Sequence, residues 1–137
     1  MNIVKCNKND VKVIGTGLSA FNAEQVPYTQ SEPFIDLNYK IEVEGEVVAG
    51  ILGCLYCWGC LYISTLYVSE KQRGQGYGRE LLRKIESEAK KLSCHIIHLD
   101  TFDFQAKEFY LREGYEIFGE LLNCPKEHTR IYLKKEI

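Results

Sequence analysis

The chain has 137 residues, a formal net charge of −2, 45% hydrophobic residues and 26% charged ones. That length holds one compact unit with its own core, read as a single domain over residues 1–137, and is too short for two. The mild acidity argues against nucleic acid as a partner, and no apolar run approaches the roughly 18 residues of a membrane span.

The N-terminal stretch MNIVKCNKND lacks a secretory apolar core, which predicts a cytoplasmic protein. Within it NIVKCN has the pattern of a short strand, and GLSAFNAEQV that of a helix stopped by Pro27. PYTQSEPF reads as a turn-rich connection. Three β runs follow: DLNYKIEVE, EVVAGILGCLYC and CLYISTLYVS, separated by Glu44-Gly45 and by a Trp58-Gly59 turn. Consecutive alternating runs joined so tightly predict three antiparallel strands.

Next comes SEKQRGQGYGRELL, with Gly74, Gly76 and Gly78 inside five positions, between a strand pattern and a helix pattern. Over YGRELLRKIESEAKKLSC, residues Leu81, Leu82, Ile85, Ala89 and Leu92 recur at helical spacing. HIIHLDTF reads as a strand, FQAKEFYLREG as a helix stopped by Gly114, and YEIFGEL and HTRIYLKK as two closing strands. The order β, α, three β, α, β, α, β, β predicts a mixed α/β or α+β sheet carrying helices.

Six cysteines include three in CLYCWGCL. A zinc knuckle needs a second pair or suitably spaced histidines, and neither is present. A Trp58-Gly59 hairpin would instead set Cys57 opposite Cys60 as small packing thiols, so no metal is expected.

Glycines at a strand-to-helix junction let the backbone approach a phosphate closely. The loop is not a Walker A motif, because Gly78-Arg79-Glu80 stands where Gly-Lys-Ser/Thr is required. Its G-x-G-x-G spacing, after three antiparallel runs, also departs from the dinucleotide fingerprint. Arg73-Gly74-Gln75-Gly76-Tyr77-Gly78 resembles the acyl-CoA pyrophosphate loop of the GNAT (Gcn5-related) N-acetyltransferases, Arg/Gln-x-x-Gly-x-Gly/Ala. TLYVSEKQRGQGYG resembles that family's strand lead-in, and FDFQAKEFYLREGYEIFG its late helix, with Ala106, Tyr110, Gly114 and Tyr115 at matching spacing. The resemblance spans roughly residues 34 to 135.

It implies a GNAT fold: a central, mixed but mostly antiparallel twisted sheet flanked by helices. It also implies an enzyme that takes an acetyl group from acetyl-CoA as cosubstrate and passes it to a primary amine through a tetrahedral intermediate. Leu66, Tyr67 and Val68 would pair with the pantetheine arm, and Arg73, Gly74, Gln75, Gly76, Tyr77, Gly78 and Arg79 would hold the pyrophosphate. Tyr110 would protonate the leaving thiolate, with a packing aromatic as the plain alternative. Where the family often has Asn before that tyrosine, this chain has Asp103, which cannot donate when ionised; either Gln105 takes over or the contact is absent.

His98 is the candidate general base, with Asp100, Glu42 and Glu44 behind it and a water chain as the other route. His128 reads as a surface or acceptor-side residue. Tyr28, Phe34, Trp58 and Tyr132 are candidates to line an acceptor pocket, and Glu24, Glu32 and Asp36 to attract a cation. A small-molecule amine is the favoured acceptor; a peptide acceptor and a non-catalytic CoA-binding module stay open. The family resemblance also implies a possible homodimer through the last strands.

Overall fold

A computed structural model describes all 137 residues. The elements are α1 (Lys8–Gln25), β1 (Phe34–Val43), β2 (Glu46–Tyr56), β3 (Cys60–Val68), α2 (Tyr77–Lys91), β4 (Ile96–Phe102), α3 (Lys107–Arg112), β5 (Glu116–Leu122) and β6 (Thr129–Glu136). A single 3₁₀ turn, Glu70–Gln72, precedes the glycine loop. The six strands form one sheet in the order β1-β2-β3-β4-β6-β5. Every neighbouring pair is antiparallel except β3–β4.

Alternation along the strands divides the sheet into two faces. Ile51 and Leu55 of β2, Leu61 and Ile63 of β3, Ile97 and Leu99 of β4, and Ile131 and Leu133 of β6 are all buried on the inner face. Against them α2 lays Leu81, Leu82, Ile85 and Ala89, a single stripe at helical spacing. Each large side chain buried there contributes about 1.5–3 kcal/mol of hydrophobic stabilisation. Tyr110 of α3 and Tyr115 close one end of this core. The outer face carries the alternate residues, among them Tyr56, Tyr62, His98, Asp100 and Tyr132, half-buried rather than buried.

Two expectations fail at the N-terminal side. Residues 2–7 form no strand and are fully exposed. Instead Asn7 begins a helix: its side chain accepts from the Asp10 N–H at 2.9 Å, and the Asp10 carboxylate accepts from the Asn7 N–H at 2.8 Å. This reciprocal capping box starts α1 nine residues before GLSAFNAEQV, carrying it through Gly15 and Gly17 despite their poor helix propensity.

The other failure concerns the thiols. Cys60 faces Tyr56 across the β2–β3 hairpin, whereas Cys57 lies in the connecting turn with φ of 45°. The turn takes three residues because the incoming chain bonds to it: the Cys57 N–H donates to the Pro33 carbonyl, and the Thr29 N–H to that of Cys57. Cys57 and Cys60 are therefore not opposite each other. All six cysteines are free thiols.

Candidate active site

The site begins as a break in the sheet. Strands β3 and β4 pair in parallel only from Cys60–Ile96 to Ile63–Leu99. There β3 bulges: Leu52 faces Thr65 and Gly53 faces Ile63, leaving Ser64 as the extra residue. A bulge bends its strand and increases the local twist. Beyond it, Ser64–Val68 and Asp100–Phe102 diverge, leaving the β4-facing edge of β3 without a ladder partner.

That wedge is hollow. A cleft of about 520 Å³ runs along it, lined by Leu66, Tyr67, Val68, Arg73, Gly78, Phe104, Gln105, Ala106, Phe109 and Tyr110. Toward the apex a second space of about 310 Å³ shares Leu66, Gln105, Ala106 and Tyr110 and adds Ser64, Thr65, Asp100 and Thr101. At the other end a third, of about 500 Å³, lies over the glycine loop, among Arg73, Gly74, Gly76, Tyr77, Gly78, Arg79 and Arg112. The cleft shares residues with each of the other two, so it links the loop to Asp100 on the outer face.

The loop leaves several backbone donors free. Gly76 caps α2 with φ of 82°, in the left-handed region, and offers no side chain to the first helical N–H groups. The first intrahelical bond is from Glu80 N–H to the Gly76 carbonyl, so the N–H groups of Tyr77, Gly78 and Arg79 are left for a ligand. A Cβ added at Gly74 or Gly76 would meet nothing within 4 Å; the space above them is open. The positive end of α2 adds its partial charge to the three arginines. Arg73 is oriented by its Nε donating to the Val68 carbonyl at 3.2 Å, and Arg79 by Glu113 at 2.7 Å.

Tyr110 is 7% exposed, yet lines both the main cleft and the apex. Burial pushes its phenol up to about 12, so it stays protonated at any neutral pH. Gln105 sits between the same two spaces; its carbonyl oxygen accepts from the Thr101 hydroxyl and the Phe102 N–H, both at 3.0 Å.

Asp103 and His98 lie outside these linings. Asp103 is held by His128 Nδ1 and by the Thr129 N–H, both at 2.9 Å. His98 Nε2 is 2.7 Å from the Tyr56 hydroxyl, and its ring lies 5.2 Å from that of Tyr62. Burial pulls the imidazole below its ordinary value, with Asp100 partly opposing it. Next to it the Tyr62 hydroxyl donates to Asp100 at 2.7 Å, and Arg130 grips the other Asp100 oxygen. The hydrogen bond to Asp100, then burial, hold the Tyr62 phenol above its usual value.

The structure thus brings together Leu66, Tyr67, Val68, Arg73, Gly74, Gly76, Tyr77, Gly78, Arg79 and Tyr110, and leaves Gln75 bonded to Gln72 at the surface. Sequence reasoning missed Phe104, Phe109 and Arg112. Phe109 and Arg112 are three apart on α3, so the spacing that marks one helix face was their available signal. Among the acceptor-side candidates, Trp58 donates through Nε1 to the Val26 carbonyl, and Tyr132 stands under Arg130.

A sheet wedged open between two parallel strands, with a glycine-capped helix start at its mouth, defines the class of protein. Residues 8–115 match the model of the acetyltransferase (GNAT) family. The chain belongs to that family. A blasticidin-S acetyltransferase of Streptomyces morookaense is 30% identical over 82% of this chain and 84% of its own. The crystal structure of an acetyltransferase from Bacillus cereus ATCC 14579 superposes on 100% of this chain and 98% of its own, with a TM-score of 0.92 and 30% identity. An aminoglycoside 6′-N-acetyltransferase solved with coenzyme A shares the fold at a TM-score of 0.67 and 19% identity, over 99% of this chain and 97% of its own.

Proposed function

We propose that this acetyltransferase carries the acetyl group of acetyl-CoA to a primary amine on a small molecule. The observation that carries the reading is the continuous hollow from the glycine loop, through the β3–β4 wedge, to Asp100. The loop's free N–H groups with Arg73, Arg79 and Arg112 suit a pyrophosphate, and the unpaired edge of β3 suits the amides of a pantetheine arm. An N–H of that edge, near Leu66, would stabilise negative charge on the carbonyl oxygen as the amine attacks.

Tyr110 borders the point where cleft and apex meet, the place for the sulfur. A phenol near 12 is a strong reservoir of a proton but gives it up reluctantly. Its role is to hydrogen-bond the thiolate as the carbon–sulfur bond breaks, passing its proton on while the amine's proton restores it. Asp100, which lines the apex, is suited to take the proton that an ammonium acceptor sheds before it attacks, whereas His98 lies outside that lining and bonds to Tyr56.

The apex favours a small acceptor. About 310 Å³ is room for an amine-bearing group. The likeness to a blasticidin-S acetyltransferase points the same way. Release of free thiol from acetyl-CoA across a panel of blasticidin-S, polyamines, amino sugars and peptides tests the proposal. Turnover with a small amine is expected. Turnover confined to peptides would overturn the acceptor class, and acetyl-CoA binding with no turnover on any amine would favour a non-catalytic module.

A further inference from the structure

We propose that α1 docks on the outer sheet face of a second copy of this chain, and that the two copies exchange these helices reciprocally. The helix stands largely clear of its own chain, with no residue buried. Ser19, Asn22 and Ala23 are its half-buried residues toward the C-terminal end, while Val11, Ile14, Leu18 and Phe21 are between 58% and 62% exposed. Spaced 3, 4 and 3 apart, those four form one apolar stripe along a helix in which no residue is buried. An apolar stripe on a helix is normally buried against another element.

The sheet has the matching deficit. Only its inner face carries α2, and the outer face presents Leu52 at 44% exposure and Phe118 at 55%, around half-buried Tyr56, Tyr62 and Tyr132. So one chain holds an uncovered apolar helix and an uncovered apolar sheet face. It does not join them itself because the connection between them is pinned at the β2–β3 hairpin. Val26 accepts from Trp58 Nε1 at 2.8 Å, the Gln30 amide donates to the Leu55 carbonyl at 2.9 Å, and the Gly59 N–H donates to Gln30 at 3.0 Å. The match with the Bacillus cereus structure extends over the whole chain, α1 included.

Two copies related by a two-fold axis cover both deficits at once, with no unpaired patch left for further growth. An 18-residue helix is about 27 Å long and offers roughly 500 Å² on one side. With an equal area of sheet, each copy buries on the order of 1,000 Å², above the ~800 Å² per partner of a standard interface. A helix docked there would lie beside Tyr56 and Tyr62, which bond to His98 and Asp100, so the interface borders the acceptor side of the wedge.

Sedimentation velocity across a dilution series tests this on the full chain. Wild type should run at twice the chain mass. Leu18→Glu on the helix and Leu52→Glu on the sheet should each raise the dimer dissociation constant by about 100-fold or more, since each buries a carboxylate in the contact. Far-UV circular dichroism and the melting curve identify any variant that has merely unfolded; for such a site, Ile14→Glu or Phe118→Glu replaces it. An equimolar mixture of a helix variant and a sheet variant should associate more strongly than either alone, because the hybrid keeps one intact helix-on-sheet contact. A monomeric wild type overturns the proposal. So does a dimer indifferent to all four substitutions, and so does one broken by the helix variants alone, which would place helix against helix.

Discussion

Gly76→Asp puts a carboxylate at the one place where the loop is shaped for an anion. The residue has φ of 82°, and an added Cβ meets nothing within 4 Å, so the cost to folding comes from the backbone angle and not from a clash. A left-handed non-glycine residue costs about 1–2 kcal/mol, near the low end for Asp. In a chain of this size that lowers the melting temperature by roughly 3–6 °C per kcal/mol. Binding should suffer more. A unit charge about 5 Å from a phosphate, at an effective dielectric of about 20–80, is repelled by about 1–3 kcal/mol, which weakens acetyl-CoA by roughly 5- to 150-fold. Gly76→Ala separates the two effects: it shares the backbone strain and lacks the charge. Calorimetric titration of acetyl-CoA into wild type and both variants, with melting curves on the same samples, reads each quantity. If a folded Gly76→Asp protein binds acetyl-CoA as tightly as the alanine variant, the loop does not hold the pyrophosphate and the cofactor assignment fails.

Four other outcomes are expected. Tyr110→Phe should reduce turnover by about 10²–10⁴ while leaving the acetyl-CoA dissociation constant within about two-fold, measured by thiol release and calorimetry; equal loss of both would make the phenol a binding group. In the same pair of proteins, stability should separate at high pH. Between pH 10 and about 12 the unfolded phenol loses its proton while the folded one keeps it, so wild type loses about 3 kcal/mol across that window, and denaturant melts of the variant should lack this component. His98 is lowered by burial, so below its ordinary value near pH 6.5 the unfolded state takes the proton first and stability falls as pH falls; His98→Gln should flatten that slope, and parallel urea profiles from pH 7 downward would contradict it. Leu82, fully buried on the sheet-facing side of α2, should cost about 2–5 kcal/mol on truncation to Ala, seen as a lower urea midpoint with an unchanged slope; a loss under 1 kcal/mol would mean that α2 does not clamp the sheet.

Local chemistry was readable from the chain wherever a single segment carries it. Period-two alternation with tight turns marked the β1–β2–β3 meander, helical spacing marked α2, and the glycine loop with its arginine pointed to an anion site. The residues that line the loop end of the hollow are mostly those the motif named, because a loop of three glycines places its own N–H groups. The N-terminal helix was shortened in that reading because Gly15 and Gly17 interrupt its propensity, although the Asn7–Asp10 capping box was there to be seen.

What only the tertiary structure decided depends on distances between segments. The split of β3 from β4 follows from one bulge at Ser64, and no local pattern says where two parallel strands will stop pairing. Tyr62, Asp100 and Arg130 come from three strands, and meet because register aligns them; the same register carries His98 to Tyr56 and away from the cleft. The turn that parts Cys57 from Cys60 is set by hydrogen bonds from residues more than twenty positions upstream. Periodicity identifies an apolar helix face but not what will cover it, and in α1 the chain leaves that face exposed. Sequence specifies torsions and patterns within a segment, whereas a site and an interface are made from side chains that long-range packing brings within a few ångströms.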